Sequence, residues 1–85
     1  MSIRARLYMK AGCHLCETTL EDLERLRRRY PHALEQVDIT TDDDLMRRYG
    51  ERIPVIHVGG REYEAPLSSA VLEDALRRAA TEGRG

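Results

Sequence analysis

Six residues, Ile53-Pro54-Val55-Ile56-His57-Val58, form a near-continuous apolar run closed by Gly59-Gly60, and few folds accommodate such a run in a chain of 85 residues. A strand that is apolar on successive residues has to be covered on both faces. A chain this short has material for one core, so the cover is expected from helices packed on either side of a single sheet. The glycine pair then turns the chain into Arg61 to Ala65 as an antiparallel hairpin partner.

The remaining segments supply the other layers. Arg4 to Met9 alternates charged and apolar residues and reads as a first strand. From His14 to Tyr30, Leu15 or Cys16, then Leu20, Leu23, Leu26 and Tyr30 recur at helical spacing, and Pro31 ends the helix. Leu34 to Ile39 reads as a second strand closed by Thr40 and Thr41. A short helix follows, capped by Thr41, with Asp42, Asp43 and Asp44 in its first turn, Arg47 and Arg48 near its end and Gly50 beyond. Ser68 or Ser69 caps a last helix whose Val71, Leu72, Ala75, Leu76 and Ala79 make one apolar stripe. The order is β-α-β-α-β-β-α, an α/β chain with a four-stranded mixed sheet flanked by helices. Leu7, Leu20, Leu23, Val37, Ile39, Val55, Val58, Leu72 and Leu76 are the expected core. One domain is expected over residues 1–80, with 81–85 as a flexible tail.

Charge narrows the function. The 14 Lys and Arg nearly balance 15 Asp and Glu for a net charge of -1, which removes the bulk electrostatic argument for nucleic acid or an anionic membrane as a partner. Arg25, Arg27, Arg28 and Arg29 follow Glu21, Asp22 and Glu24 on one helix, the order that complements a helix dipole, and read as a solvated face. The three adjacent aspartates at 42–44 point in different directions on a helix and read as capping rather than as a metal site. No run near the start is long enough for a signal peptide or a membrane span. A cytoplasmic monomer is expected.

Cys13 and Cys16 are the only cysteines. A disulfide between them closes too small a loop to staple a fold, so the pair points to catalysis or metal binding. Cys13 falls after a strand at the first turn of a helix, where unpaired N–H groups and the helix dipole favour a thiolate. Residues i and i+3 are neighbours on a helix, so Cys13 can attack a disulfide and Cys16, one turn on and more buried, can resolve the product. Haem attachment requires a histidine after the second cysteine, and Glu17 stands there. Structural zinc requires four ligands, and no second cysteine pair exists to add to His14, His32 and His57. A Cu(I) carrier uses the same two thiolates, but with a β-α-β-β-α-β order that Asp42–Tyr49 and Pro54 do not fit. Two inert apolar cysteines are the plainest alternative, but buried inert cysteines have no reason to fall at a strand-to-helix junction.

Leu7-Tyr8-Met9-Lys10-Ala11-Gly12-Cys13-His14-Leu15-Cys16 resembles the first strand and active-site loop of glutaredoxins. Arg52-Ile53-Pro54-Val55-Ile56-His57-Val58-Gly59-Gly60 resembles that family's proline-led strand and glycine turn, in the right order. The closest likeness is to small bacterial glutaredoxin-like proteins with a Cys-His-Leu-Cys motif. The resemblance implies a thioredoxin-like fold, a dithiol-disulfide oxidoreductase with Cys13 as nucleophile and Cys16 as resolving thiol, and a cis peptide bond at Pro54 beside Cys13. It also implies that Ile53 pairs its backbone with an extended substrate. Lys10 stands where glutaredoxins often carry a lysine that supports the thiolate and contacts a glutathione carboxylate; a solvated lysine fits the position equally.

Two departures from the family shape the expectation. His14-Leu15 replaces the Pro-Tyr pair common between glutaredoxin cysteines, which makes His14 a tuning residue rather than a general base. Glu64-Ala65-Pro66-Leu67-Ser68 replaces the usual glycine pair and acidic residue before the last helix. That argues against dependence on glutathione and leaves only the helix N-terminus, with Ser68 or Ser69, for weak binding. No tightly bound cofactor is expected. The expected partners are a disulfide-containing protein or small thiol and a reductase or thiol donor. An iron-sulfur cluster shared between two chains, with Cys13 and glutathione as ligands, is a further reading that the weakened glutathione site disfavours.

Overall fold

The computed structural model describes residues 3–82. Four strands and three helices follow the expected order: β1 (Ile3–Met9), α1 (His14–Leu26), β2 (His32–Asp38), a 3-10 turn (Ile39–Thr41), α2 (Asp43–Tyr49), β3 (Val55–Val58), β4 (Arg61–Glu64) and α3 (Ser69–Glu82). The sheet order is β2-β1-β3-β4. β1 and β2 run parallel from Ile3↔His32 to Met9↔Asp38, while β1 with β3 and β3 with β4 are antiparallel.

The apolar run does what its pattern requires. Successive strand residues face opposite sides, so Ile56 and Val58 join Ala5 and Leu7 against Leu23 and Leu26 of α1 and Leu72, Ala75, Leu76 and Ala79 of α3. Val55 faces the other way, into a smaller cluster with Tyr8, Ile39 and Tyr49 under α2. Tyr8 and Tyr49 stack with ring centroids 4.4 Å apart. The expected core residues are buried apart from Leu20 and Val37, which are half-buried at its margin.

Several boundaries move, each for a local reason. α1 stops at Leu26, short of Tyr30, and its last turn is drawn out as the Arg29 and Tyr30 N–H groups both donate to the Leu26 carbonyl. Pro31 keeps Tyr30 from continuing the helix. β2 begins at His32, two residues early, because the parallel ladder with β1 runs its full length. Asp42, not Thr41, caps α2: its carboxylate accepts from the Asp44 N–H at 2.8 Å and the Leu45 N–H at 3.3 Å. The Thr41 hydroxyl donates instead to the Asp38 carbonyl. Ser68 caps α3, accepting from the Val71 N–H at 3.2 Å. That helix extends through Glu82, which pairs with Arg61 at 3.1 Å. Thr81 and Glu82 are therefore helical where a flexible tail was expected, and 83–85 lie outside the described residues. Among the described residues no helix is long and apolar enough to cross a membrane.

Candidate active site

Parallel pairing of β1 with β2 and antiparallel pairing of β3 bring four connections to one end of the sheet: the turn after Met9, the turn after Asp38, the approach to Val55 and the exit from Glu64. Cys13 stands in the first of these. Gly12, at φ +80°, makes the turn, a conformation that a side chain disfavours. The Cys13 N–H then donates to the Lys10 carbonyl at 3.3 Å.

Cys13 is the N-cap of α1, with extended backbone, and its Sγ accepts from the Cys16 N–H at 3.1 Å. One of the helix's free donors thus points at the sulfur, and the helix dipole favours negative charge at the same place. Cys16 is fully buried and Cys13 is half-buried. The two are joined as a disulfide with a Cα–Cα separation of 5.2 Å, within the ordinary span for that bond.

The peptide bond between Ile53 and Pro54 is cis, as is that between Ala65 and Pro66. Pro54 is buried, and its carbonyl accepts from the Ala65 N–H at 3.0 Å. The Ile53 N–H is spent inside the chain on the Tyr49 carbonyl at 3.1 Å. Of the two Ile53 backbone groups expected to meet a substrate, the carbonyl is the one with no partner among the described residues. Lys10 is half-buried and has no carboxylate partner among them; His14 is exposed. Leu15, between the cysteines, is 59% exposed, the most exposed large apolar side chain among the described residues.

Sequence reasoning missed the polar network behind Ile53. Arg52 is held by Glu62 and by Glu64 at 3.1 Å, with Glu62 also 2.8 Å from the His57 ring. Arg52, with His57, keeps the Glu62 carboxyl below its ordinary pKa. The signal available was weak: an arginine before the proline and glutamates on the paired strand. His57 also sets its ring edge-on to Tyr8, with centroids 4.9 Å apart. Among the described residues no group of three His, Cys, Asp or Glu side chains is placed to hold a metal ion. A cavity of about 540 Å³ lies toward the other end of β1, lined by Arg4, Arg6, Glu35 and His57, and does not include the cysteines.

The family described as Glutaredoxin-like domain (DUF836) matches residues 4–79. The chain belongs to this glutaredoxin-like family. A structural-genomics target protein from X. campestris is 34% identical, with 88% of this chain and 97% of that one covered at a TM-score of 0.77. A protein from Nitrosomonas europaea, solved in solution, is 28% identical over 87% of this chain and 91% of that one, at a TM-score of 0.73. A mutant thioredoxin from Halobacterium salinarum, 19% identical, covers 92% of this chain and 74% of that one at a TM-score of 0.69, and shares the fold alone. Comparison with curated proteins gives no match. The glutaredoxin-like chain thus has the thioredoxin-like fold, with its cysteine pair at disulfide distance on the strand-to-helix turn.

Proposed function

We propose that this glutaredoxin-like chain is a thiol-disulfide oxidoreductase in which Cys13 attacks and Cys16 resolves. The observation that carries the reading is the Cys16 N–H donating to the Cys13 Sγ at the N-cap of α1, since a donor and a helix dipole at the same sulfur stabilise the thiolate that does the chemistry. Cys16 lacks exposure and is reached only from within the molecule.

In the reduced chain, the Cys13 thiolate attacks one sulfur of a substrate disulfide. A Cys13–substrate disulfide forms and the other substrate sulfur leaves as thiolate. The Cys16 thiol gives up its proton and attacks the Cys13 sulfur, releasing the second substrate thiolate. The substrate has gained two electrons and the chain holds the Cys13–Cys16 disulfide. An external dithiol, thiol or reductase returns the electrons by the reverse sequence. The substrate lies across Ile53 and Pro54, with the Ile53 carbonyl as its backbone acceptor, and Lys10 and His14 at the rim.

NADPH-coupled turnover of a protein disulfide tests this, with glutathione and glutathione reductase in one assay and thioredoxin reductase in the other. Turnover is expected with the parent chain and none with Cys13→Ser. Equal rates for parent and variant overturn the mechanism. Whichever reductant supports turnover identifies the donor.

A further inference from the structure

The end of the molecule that carries Cys13 is electrically lopsided, and the imbalance is spread over several segments rather than held in one cluster. Glu17 stands in the first turn of α1, Asp38 ends β2, Asp42 and Asp43 begin α2 and Glu51 precedes Ile53-Pro54. None of these five has a cationic partner among the described residues. The other carboxylates near this end are matched, Asp44 by Arg47 at 3.3 Å and by Arg48, Glu62 and Glu64 by Arg52. On the other side of the balance stands Lys10 alone. Toward the opposite end, Arg27 is matched by Glu24, Arg29 by Glu73 and Arg61 by Glu82, while Arg4 at the start of β1 and Arg28 after α1 have no carboxylate partner among the described residues.

A net charge of -1 therefore conceals an excess of negative charge at the end of the molecule that carries the half-buried Cys13. The field of such an excess raises the encounter rate of partners of opposite sign and lowers that of like sign, within about a Debye length of the surface. Two neighbouring features suit a peptide rather than a small molecule. Leu15 offers apolar surface beside the sulfur, and the Ile53 carbonyl offers a backbone acceptor.

We propose that the disulfides this chain reduces are set in basic peptide segments, with Lys or Arg beside the cysteine. The inference rests on the oxidoreductase reading above and names the substrate class of the same site. It also predicts that a ligand with two carboxylates, such as glutathione, is poorly served here.

The test uses three cystine peptides alike except for flanking residues: two lysines, two serines or two glutamates. The pre-reduced protein is mixed with each in a single turnover, and each rate is divided by that of dithiothreitol, a neutral dithiol, with the same peptide. This division removes the peptide's intrinsic reactivity. The lysine peptide is expected to exceed the glutamate peptide about tenfold at low salt, with the serine peptide between. The ratio falls below about twofold near 0.5 M salt, where screening is strong. Asp43→Asn with Glu51→Gln, neither of which takes part in the thiol chemistry, lowers the low-salt ratio about threefold. Equal rates for the three peptides, or a faster glutamate peptide, overturn the inference and leave the oxidoreductase reading standing. If none of the three is reduced, the oxidoreductase reading falls and the inference falls with it.

Discussion

Cys13 and Cys16 differ in one respect that matters chemically: the first is only half-buried, with its sulfur under a backbone donor, and the second is fully buried. Replacing Cys16 by Ser should therefore leave the first attack intact and halt the reaction at the mixed disulfide. Mass spectrometry after exposure to a disulfide peptide is expected to show one peptide per chain, and an unmodified chain would contradict the order of attack. Asp42 gives a second residue-scale prediction. Because its carboxylate holds two N–H groups of α2, Asp42→Ala is expected to cost about 1 kcal/mol in urea unfolding, and Thr41→Ala clearly less. Glu62 gives a third. Its folded carboxyl keeps its charge to lower pH than the unfolded one, whose ordinary value is 4.5. The stabilisation is complete above that value and is lost as pH falls through the folded pKa. Its side chain is 39% exposed, so solvent screening keeps the effect small. On acidification from about pH 6 to about pH 3, Glu62→Gln should lose less stability than the parent.

Elements with a strong repeat were the legible ones. The apolar run was readable as a doubly covered strand because Val55 and Ile56 are both buried on opposite faces, and α3 because its stripe keeps helical spacing. The strand-to-helix turn at Gly12-Cys13 was readable because a glycine falls where the alternating pattern of β1 gives way to the helical pattern of α1. What the sequence concealed was tertiary. Tyr8 and Tyr49 lie far apart in the chain and meet only in the fold, where they stack beside Ile39 and Val55 in the second core, so neither stood out as a core residue. The end of α1 and the cap of α2 depended on which of several adjacent polar groups found a backbone partner, a choice that residue type alone leaves open. Ile53 was legible as a position but not in its hydrogen bonding, since the Tyr49 carbonyl that takes its N–H belongs to another element. The Gly59-Gly60 turn yields a prediction at this scale. Gly59 has φ +62°, and a Cβ there would lie 3.0 Å from the Ala79 Cβ on α3. Gly59→Ala is expected to destabilise by more than about 1 kcal/mol in urea unfolding, whereas at Gly60 an added Cβ meets nothing within 4 Å and only the backbone conformation opposes it.

Taken whole, the molecule has a Cα radius of gyration of 12.4 Å, close to the roughly 12 Å of a compact chain this long. Sedimentation equilibrium should return the 9.8 kDa monomer mass, and twice that mass would contradict the expectation. Its sheet divides it unequally, with two helices on one side and α2 alone on the other, yet both faces end at the same rim where Cys13 emerges. The burial of Cys16 then has a consequence for traffic. On the proposed mechanism, electrons have one gate in and out of the protein, and oxidation and reduction both pass through the same Cys13-linked adduct. A bulky maleimide applied to the reduced chain should mark Cys13 and spare Cys16. On that mechanism a partner that donates electrons and one that receives them are expected to compete for the same sulfur, so that neither is served while the other is docked.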